Sequence, residues 1–376
     1  MAGIYIHIPF CKHKCNYCNF FSVASVKYRD SFVDALLYEM EMRNSYLKGE
    51  TVNTIYFGGG TPSMLTTDEI NAIIAKAQQL FSLNDELEIT LEANPDDLDV
   101  EKTKCLKNDT PVNRLSIGIQ SFFDDDLQYL DRIHTGSDAR KAIENVQKAG
   151  FRNISIDLIY GIPGLTLEKW NQNLNLFFNY DIPHLSSYSL TVEPKTALQY
   201  QIQKQQRPEV DEELNIRHFE ILQKKIKEHN FIHYEISNFA KEGFYSKHNS
   251  IYWLGDYYLG LGPSAHSFNG SSRQWNVAAV KSYVESNMID KIVAEKEMLT
   301  LDQLFNEYVM TSLRTSWGCD LEHINNVFGK KFTDYFIKNI KPFVNKKQVV
   351  QQGNRFVLSD SGKLFADGIA AEIMIV

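Results

Sequence analysis

The stretch YIHIPFCKHKCNYC, at residues 5–18, places three cysteines in one short segment near the start of the chain. Cys11, Cys15 and Cys18 follow a C-x3-C-x2-C spacing. Three thiolates in one loop can ligate three irons of a cubane iron–sulfur cluster and leave the fourth iron without a protein ligand. A cluster used only for electron transfer normally has four cysteines. The missing fourth therefore suggests that a small molecule chelates the last iron.

This cysteine motif resembles that of the radical SAM superfamily, which has an aromatic residue directly before the third cysteine, as Tyr17 is here. In that superfamily a [4Fe-4S] cluster binds S-adenosylmethionine (SAM) through its amino and carboxylate groups. The resemblance implies that Cys11, Cys15 and Cys18 ligate such a cluster and that SAM binds the open iron. The alternative is a loop of buried or zinc-binding thiols, although structural zinc sites usually have four ligands.

The amino-acid composition limits the number of domains, the kinds of binding partner and the cellular compartment that can be expected. A chain of 376 residues with 43% apolar content can hold one α/β domain of roughly 250 residues plus a small one. The net charge of −8 argues against a nucleic-acid substrate, since phosphate binding leaves a basic footprint. The two other cysteines, Cys105 and Cys319, indicate no disulfide framework, which predicts a cytoplasmic protein. From the N-terminal residues we expect no signal peptide or membrane span.

Short β-rich runs alternate with amphipathic stretches over the first two thirds of the chain, which predicts parallel strands joined by crossover helices. The predicted strands are Ile4 to Ile8, Val52 to Phe57, Leu87 to Glu92, Arg114 to Ile119, Asn153 to Tyr160 and His184 to Leu190. The predicted helices between them include Ser31 to Ser45, Thr67 to Phe81, Asp138 to Ala149 and Leu167 to Phe178. Six such units predict an α/β fold, an incomplete (β/α)6 TIM-like barrel, with functional residues at the carboxyl ends of its strands.

The sequence pattern changes twice in the rest of the chain. A long helix, about Asp211 to Glu228, precedes an aromatic stretch, and the pattern changes again near Met298. Helices at Leu301 to Leu313 and Leu321 to Phe328, followed by a β-hairpin near 349–358, resemble a winged helix. We therefore predict a barrel domain at 1–230, an aromatic extension at 231–297 and a small winged-helix-like α+β domain at 298–376. Winged helices often bind nucleic acid, but the acidic charge favours a lid or docking module.

A glycine run, Gly58-Gly59-Gly60, followed by Thr61, comes directly after the second predicted strand. Glycines lack a Cβ atom, so their amides and carbonyls can approach a ligand closely. A tight turn also needs glycine, so the run alone is weak evidence. Its position one βα unit after the cysteine loop indicates a ligand-binding loop.

Polar side chains fall at or near the ends of the later predicted strands. Glu92 ends the third strand and Gln120 follows the fourth. Asp157 places a charge inside an apolar strand, where a carboxylate is rarely left unpaired. Arg132, in the segment LDRIH, can bind a carboxylate bidentately. The alternative for Glu92 is an ordinary surface glutamate.

In this order the motifs resemble the HemN/HemW family of radical SAM proteins, which includes oxygen-independent coproporphyrinogen III oxidases, over nearly the whole chain. The resemblance implies SAM contacts at Tyr5, Tyr17, Gly59, Gly60, Thr61, Glu92, Gln120, Arg132, Asp157 and Thr191. The arginine motif of the family usually reads Leu-Gly-Arg. Here Asp131 replaces the glycine, which raises the question of which turn forms there.

Two features divide that family. The oxidases carry a fourth cysteine two residues after the third and a longer N-terminal segment, whereas this chain has Phe20 there and begins ten residues before Cys11. The stretch HNSIYW, at residues 248–253, matches the H-N-x-x-Y-W signature of the heme-binding branch. Imidazole can ligate heme iron and aromatic rings can stack on a porphyrin, so the heme candidates are His248, Asn249, Tyr252 and Trp253. The alternative is a satisfied histidine in an aromatic core.

The resemblance therefore implies a heme chaperone that carries a SAM-bound cluster, binds heme and delivers it to a hemoprotein such as a respiratory enzyme. Peripheral contact with a membrane-bound partner is part of this expectation, and coproporphyrinogen oxidase activity is not expected. The alternative is such an oxidase, in which a radical from SAM abstracts hydrogen from two propionates that then decarboxylate to vinyls. A nucleic-acid-modifying radical enzyme is disfavoured by the acidic charge.

Overall fold

The computed structural model describes residues 1–25, 27–287, 289 and 294–375. Strands and helices alternate in its first half as the sequence predicts. They are β1 (Ala2–Ile8), α1 (Arg29–Met42), β2 (Val52–Gly59), α2 (Thr67–Leu80), β3 (Leu83–Ala93), α3 (Val100–Asp109), β4 (Arg114–Gln120), α4 (Asp124–Tyr129), α5 (Gly136–Lys148), β5 (Asn153–Tyr160), α6 (Leu167–Asn179) and β6 (His184–Ser189). All six predicted strands are present, and the largest difference is that β3 begins at Leu83 rather than Leu87.

The six strands form one parallel array in chain order, from β1 to β6. Parallel strands are covered on both faces, so their sequences are nearly continuous apolar runs. Ile4, Ile6 and Ile8 of β1 are all buried. The carboxyl ends of the strands meet at one edge, as predicted for an incomplete barrel.

Capping residues set where the helices begin. Helix α5 starts two residues before the predicted Asp138, because the side chain of Thr135 accepts a hydrogen bond from the backbone N–H of Asp138. The carboxylate of Asp138 in turn accepts from the backbone N–H of Thr135, which completes a capping box. Thr66 and Glu69 cap α2 in the same way.

The next segment extends the same sheet at both edges. Its elements are α7 (Ala197–Gln203), α8 (Glu212–Glu228), β7 (Ile232–Glu235), β8 (Asn238–Ala240), α9 (Lys247–Leu254), β9 (Tyr257–Leu261), β10 (His266–Phe268), β11 (Ser272–Asn276), α10 (Val280–Asn287) and β12 (Ala294–Met298). Strand β9 pairs in parallel with β1, and β8 pairs antiparallel with β6. Within the described residues, no helix is both long and apolar enough to cross a bilayer.

The predicted domain boundary at residue 230 therefore falls between strands of one sheet, and the division into 1–230, 231–297 and 298–376 stays a prediction. Residues 26, 288, 290–293 and 376 belong to these predicted ranges but lie outside the described residues.

The last segment has its own sheet and apolar core. It contains α11 (Leu301–Leu313), β13 (Cys319–Asp320), α12 (Leu321–Val327), α13 (Lys330–Asn345), β14 (Val349–Gln352), β15 (Arg355–Leu358), α14 (Asp360–Lys363) and α15 (Ala366–Ile373). The strands pair antiparallel in the order β13-β15-β14. This order of helices and strands fits the winged-helix-like prediction. Helix α13 was not predicted, although Phe332, Phe336 and Ile340 lie four residues apart and are buried.

A buried charged residue joins α1 to the extension. Glu39 accepts hydrogen bonds from the amide N of Gly262 at 2.9 Å, from Nδ2 of Asn276 at 2.7 Å and from the hydroxyl of Tyr283 at 2.7 Å. It also pairs with Arg43, whose Nη1 lies 3.1 Å from Oε1 of Glu39. Because buried charges are tolerated only when they are paired and hydrogen-bonded, this network fixes the extension against the barrel.

We expect Glu39→Ala to lower the free energy of unfolding by about 3 to 5 kcal/mol, because it leaves Arg43 buried without its partner. Urea denaturation followed by circular dichroism measures the change. The matched control is Glu41→Ala on the same helix, since Glu41 is exposed and ion-paired with Lys76 near the surface. The control should cost at most about 1 kcal/mol. Equal, small losses in the two variants would contradict the assigned role of Glu39.

Candidate functional site

The three cysteines of the motif lie in a loop that is closed at its base. The backbone N–H of Val23 donates to the carbonyl O of Pro9 at 2.7 Å, and that of Cys11 donates to the carbonyl O of Val23 at 3.1 Å. Cys11, Cys15 and Cys18 are partly exposed and line one cavity of about 60 Å³. The loop thus presents three thiols to a single space at the carboxyl end of β1.

The sequence allows two kinds of metal centre for these thiols, a zinc ion and an iron–sulfur cluster. In the described part of the chain, no group of three or more His, Cys, Asp or Glu side chains is placed to hold a metal ion. One zinc ion draws its thiolates to about 2.3 Å and so needs ligands that converge on a point. A cubane cluster spreads its cysteines over separate irons. The three thiols line one cavity, and their ligation of a cluster rather than zinc stays a prediction.

The glycine loop packs directly against the cysteine loop. A Cβ atom at Gly60 would lie 2.6 Å from the carbonyl O of Phe10 and 3.0 Å from Sγ of Cys11, so no side chain fits there. Gly59 has a positive φ of 107°, and a Cβ there would lie 2.7 Å from the ring of His7. Gly59 and Gly60 are therefore required by the close approach of neighbouring protein atoms, and their contact with a ligand stays a prediction.

A larger cavity of about 440 Å³ adjoins the cysteine cavity at the carboxyl edge of the sheet. Nine of the ten predicted SAM contacts line it: Tyr17, Gly59, Gly60, Thr61, Glu92, Gln120, Arg132, Asp157 and Thr191. Both cavities share the lining residues Tyr17, Cys18, Gly59, Gly60, Thr61, Asn94 and Arg132. The sequence motifs, although far apart in the chain, therefore form one continuous site.

Tyr5 is the exception among the predicted SAM contacts. Its hydroxyl is hydrogen-bonded to Nδ1 of His7 at 3.2 Å. Its ring stacks on those of Tyr56 and His248, with centroid distances of 6.1 and 6.2 Å. The ring packs behind Gly58, so direct contact between Tyr5 and SAM stays a prediction that its placement does not support.

Two carboxyl groups face the larger cavity with raised pKa values. Burial raises the pKa of Glu92 to about 7, although the hydroxyl of Tyr56 donates to its Oε1 at 2.7 Å and the amide of Gly59 donates to its Oε2 at 3.2 Å. Burial likewise raises the pKa of Asp157 to about 6, opposed by the nearby hydroxyl of Ser186 and guanidinium of Arg114. A cationic ligand would favour the ionised form of both groups, because opposite charges attract strongly at a buried site.

Arg132 connects the cysteine loop to the third and fourth strands. Its Nη2 donates to Oδ1 of Asn94 at 2.8 Å and to the carbonyl O of Gly118 at 3.0 Å, and its Nη1 lies 3.5 Å from Sγ of Cys15. The preceding Asp131 has a positive φ of 55°. Aspartate tolerates this left-handed region better than most residues, so the turn forms despite the loss of the family's glycine.

Several lining residues were not predicted from the sequence, including Asn94, Ser116 and Tyr188. Side chains two apart on a strand point to the same face, so the prediction of Glu92 also indicated Asn94. Ser116 lies on β4, four residues before Gln120. Tyr188, which is 42% exposed at the end of β6, had no periodic signal.

The predicted heme residue His248 is buried within α9. Its Nδ1 is hydrogen-bonded to Oγ1 of Thr54 at 2.7 Å and its Nε2 to the hydroxyl of Tyr252 at 2.8 Å. Its ring stacks on Tyr56 at 4.9 Å, and burial lowers its pKa to about 3. Because both ring nitrogens are bonded within the protein, His248 as the heme ligand stays a prediction that its placement does not support. The arrangement matches the alternative of a satisfied histidine in an aromatic core.

The other three residues of the HNSIYW motif have different environments. The backbone N–H of Asn249 donates to Oγ of Ser246, the N-cap of α9. Trp253 is half-buried, and the guanidinium of Arg314 lies 5.6 Å from its ring centroid. Tyr252 lines a separate cavity, and its hydroxyl is hydrogen-bonded to Nε2 of His248. A common heme contact for the four residues stays a prediction.

Comparison with known proteins matches both parts of the chain. The Radical SAM superfamily matches residues 5–177, and the HemN C-terminal domain matches residues 299–365. The heme chaperone HemW of Bacillus subtilis is 35% identical over 381 residues, covering 98% of each chain. That of Lactococcus lactis is 33% identical over 359 residues, covering 95% of this chain and 93% of its own.

Among solved structures, the coproporphyrinogen III oxidase HemN from Escherichia coli superposes with a TM-score of 0.84. It is 22% identical and covers 99% of this chain and 90% of its own. This likeness establishes the fold. The identity to the curated relatives, over nearly the whole length, goes further: the chain belongs to the HemW heme chaperone family of radical SAM proteins.

Proposed function

We propose that this protein holds a [4Fe-4S] cluster through Cys11, Cys15 and Cys18, binds SAM at the open iron, and acts as a heme chaperone. The observation that carries the proposal is the continuous cavity that the three thiols share with the glycine loop and Arg132. The heme function is supported by relatives named as heme chaperones. Its recipient is a hemoprotein such as a respiratory enzyme, including a membrane-bound one contacted peripherally.

Each group around the cavity has a separate role. When bound, the cluster supplies an electron-transfer centre with one open coordination position. Gly59, Gly60 and Thr61 form the wall beside the thiols, where backbone groups can meet the amino end of SAM. Arg132 adds a partly buried positive charge suited to a carboxylate. Glu92 and Asp157 supply acceptors for the hydroxyls and positive charges of the ligand.

Phe20 is a residue at which this chain differs from the oxidases of the family. It lines the larger cavity two residues after Cys18, where oxidases of the family carry a fourth cysteine, and its side chain is 63% exposed. A phenyl ring cannot ligate iron, so the chemistry available at that position differs. This difference supports the proposal of a chaperone without coproporphyrinogen oxidase turnover.

The first test is cluster content. We expect the triple variant Cys11→Ala, Cys15→Ala, Cys18→Ala to lose the cluster, because its three proposed ligands are removed. Iron and sulfide analysis after anaerobic reconstitution measures this. Cys105→Ala and Cys319→Ala are the controls and should retain it, since these thiols lie on α3 and β13, away from the site. A full cluster in the triple variant would refute the ligand assignment.

The second test is SAM affinity. Glu92→Gln and Asp157→Asn should each weaken SAM binding by about 1.5 to 3 kcal/mol, because each removes a charged hydrogen-bond partner. For the wild type, affinity should rise from about pH 6 to about pH 8 as Glu92 ionises, and Glu92→Gln should flatten this rise. Anaerobic isothermal titration calorimetry measures both effects.

The control for SAM affinity is Glu86→Gln, on the same strand as Glu92 but with an exposed side chain. It should bind SAM as the wild type does, and all variants should keep their cluster. Unchanged affinity in both Glu92→Gln and Asp157→Asn would remove these residues from the proposed site.

The third test separates the chaperone from the oxidase. We expect the reconstituted protein to bind hemin with a shifted Soret band and to form no protoporphyrinogen from coproporphyrinogen III, SAM and a reductant. The Escherichia coli oxidase HemN serves as the positive control for turnover. Robust decarboxylation would overturn the chaperone proposal in favour of the oxidase, and the absence of any hemin binding would overturn it as well.

A further inference from the structure

A second large cavity lies between the extension and the C-terminal segment, which is the last segment of the fold and begins with α11. It has a volume of about 450 Å³, within the range of roughly 300 to 1,000 Å³ typical of small-molecule sites. Its walls include Tyr252, Tyr258 and Phe268 from the extension and Tyr308, His323 and Phe328 from the C-terminal segment. Among the described residues, none lines both this cavity and the proposed SAM cavity. It is therefore a separate candidate site.

The lining of this cavity suits a flat apolar ligand. Aromatic rings come from both segments, and the rim carries the apolar side chains Leu254 and Val327, which are 48% and 54% exposed. Aromatic side chains bind planar ring systems by stacking or by edge contact. Exposed apolar side chains around a cavity are typical of a ligand-binding groove.

The charges in the cavity favour an uncharged ring system over a phosphate-bearing ligand. Its arginine, Arg273, is bound bidentately by Glu307 at 2.7 and 2.8 Å and donates to the hydroxyl of Tyr258 at 2.7 Å. Because that cation is already neutralised, the lining offers little to an anion. Carboxylate substituents of a bound ligand would therefore extend outward into water.

His323 supplies an imidazole that can ligate the iron of a ligand in this cavity. It is an exposed residue of α12, and its ring stacks on that of Tyr308 with a centroid distance of 4.4 Å. Neither ring nitrogen has a hydrogen-bond partner within the described part of the chain, whereas both nitrogens of His248 are bonded. Neutral imidazole is a common axial ligand of heme iron.

We infer that this cavity between the two segments binds the tetrapyrrole, with His323 as the ligand of its iron and the aromatic rings as its walls. The inference rests on the proposed heme chaperone function and names the site. It also assigns a role to the first residue of the HNSIYW motif. His248 is a positioning residue, whose Nε2 holds the hydroxyl of Tyr252 at 2.8 Å on the cavity wall.

The test titrates the reconstituted full-length protein with hemin and with iron-free protoporphyrin IX. His323→Ala should change the Soret band and weaken hemin binding by roughly tenfold or more, while protoporphyrin binding stays as in the wild type because no iron is present to be ligated. Thr311→Trp, which places a large ring in the cavity, should weaken both ligands. The control is His266→Ala, another exposed histidine stacked on an aromatic ring, Trp275, and it should leave both titrations unchanged.

The outcomes separate the inference from the function on which it rests. Wild-type hemin binding in either His323→Ala or Thr311→Trp would overturn this location while the heme chaperone proposal stands. No hemin binding by the wild-type protein would overturn the proposed function itself. SAM binding, measured in parallel, should be unchanged in all three variants, which shows that each is folded.

Discussion

No side chain can stand at Gly60, and much of the site depends on that constraint. The parallel pairing of β1 with β2 places Ile8 opposite Gly59, so the loops that follow the two strands are forced together. The amide of Gly60 donates to the carbonyl O of Ile8 at 2.7 Å, and that of Thr61 donates to the carbonyl O of Phe10 at 2.7 Å. These bonds hold the cysteine loop open over the glycine loop. Without this close approach, the three thiols and the larger cavity would not share a wall.

Beneath the cavity, a series of contacts connects the barrel to the extension. Glu92 accepts from the hydroxyl of Tyr56, Tyr56 stacks on His248, and His248 is hydrogen-bonded to Tyr252. Every polar atom in this series has a partner, as the cost of an unpaired buried group requires. The wall of the proposed SAM site and the wall of the cavity between the extension and the C-terminal segment are thus joined through buried, well-packed side chains.

The sequence predicted where the site residues lie in the fold better than it predicted the burial and hydrogen-bond partners of individual residues. Strands buried on both faces read as apolar runs, so Glu92 at the carboxyl end of β3 and the charge of Asp157 inside β5 could be located. The burial of His248 could not, because its partner Thr54 lies 194 positions away in the chain. A sequence motif identifies a residue, but it does not show which side chains from distant parts of the chain pack around that residue. Helix α13 is a different case, because its buried positions four residues apart are visible in the sequence and made that helix predictable.

The separation of the two cavities bears on the choice between chaperone and oxidase. Group transfer requires reacting atoms about 3 to 3.5 Å apart, so an oxidase must hold its porphyrinogen in the cavity where SAM binds. A tetrapyrrole on His323 would instead occupy a cavity that, among the described residues, shares no lining residue with that site. Heme bound there would lie apart from the cluster site and beside the exposed rim residues Leu254 and Val327. Under this proposal, release of heme to a partner would not require passage through the barrel.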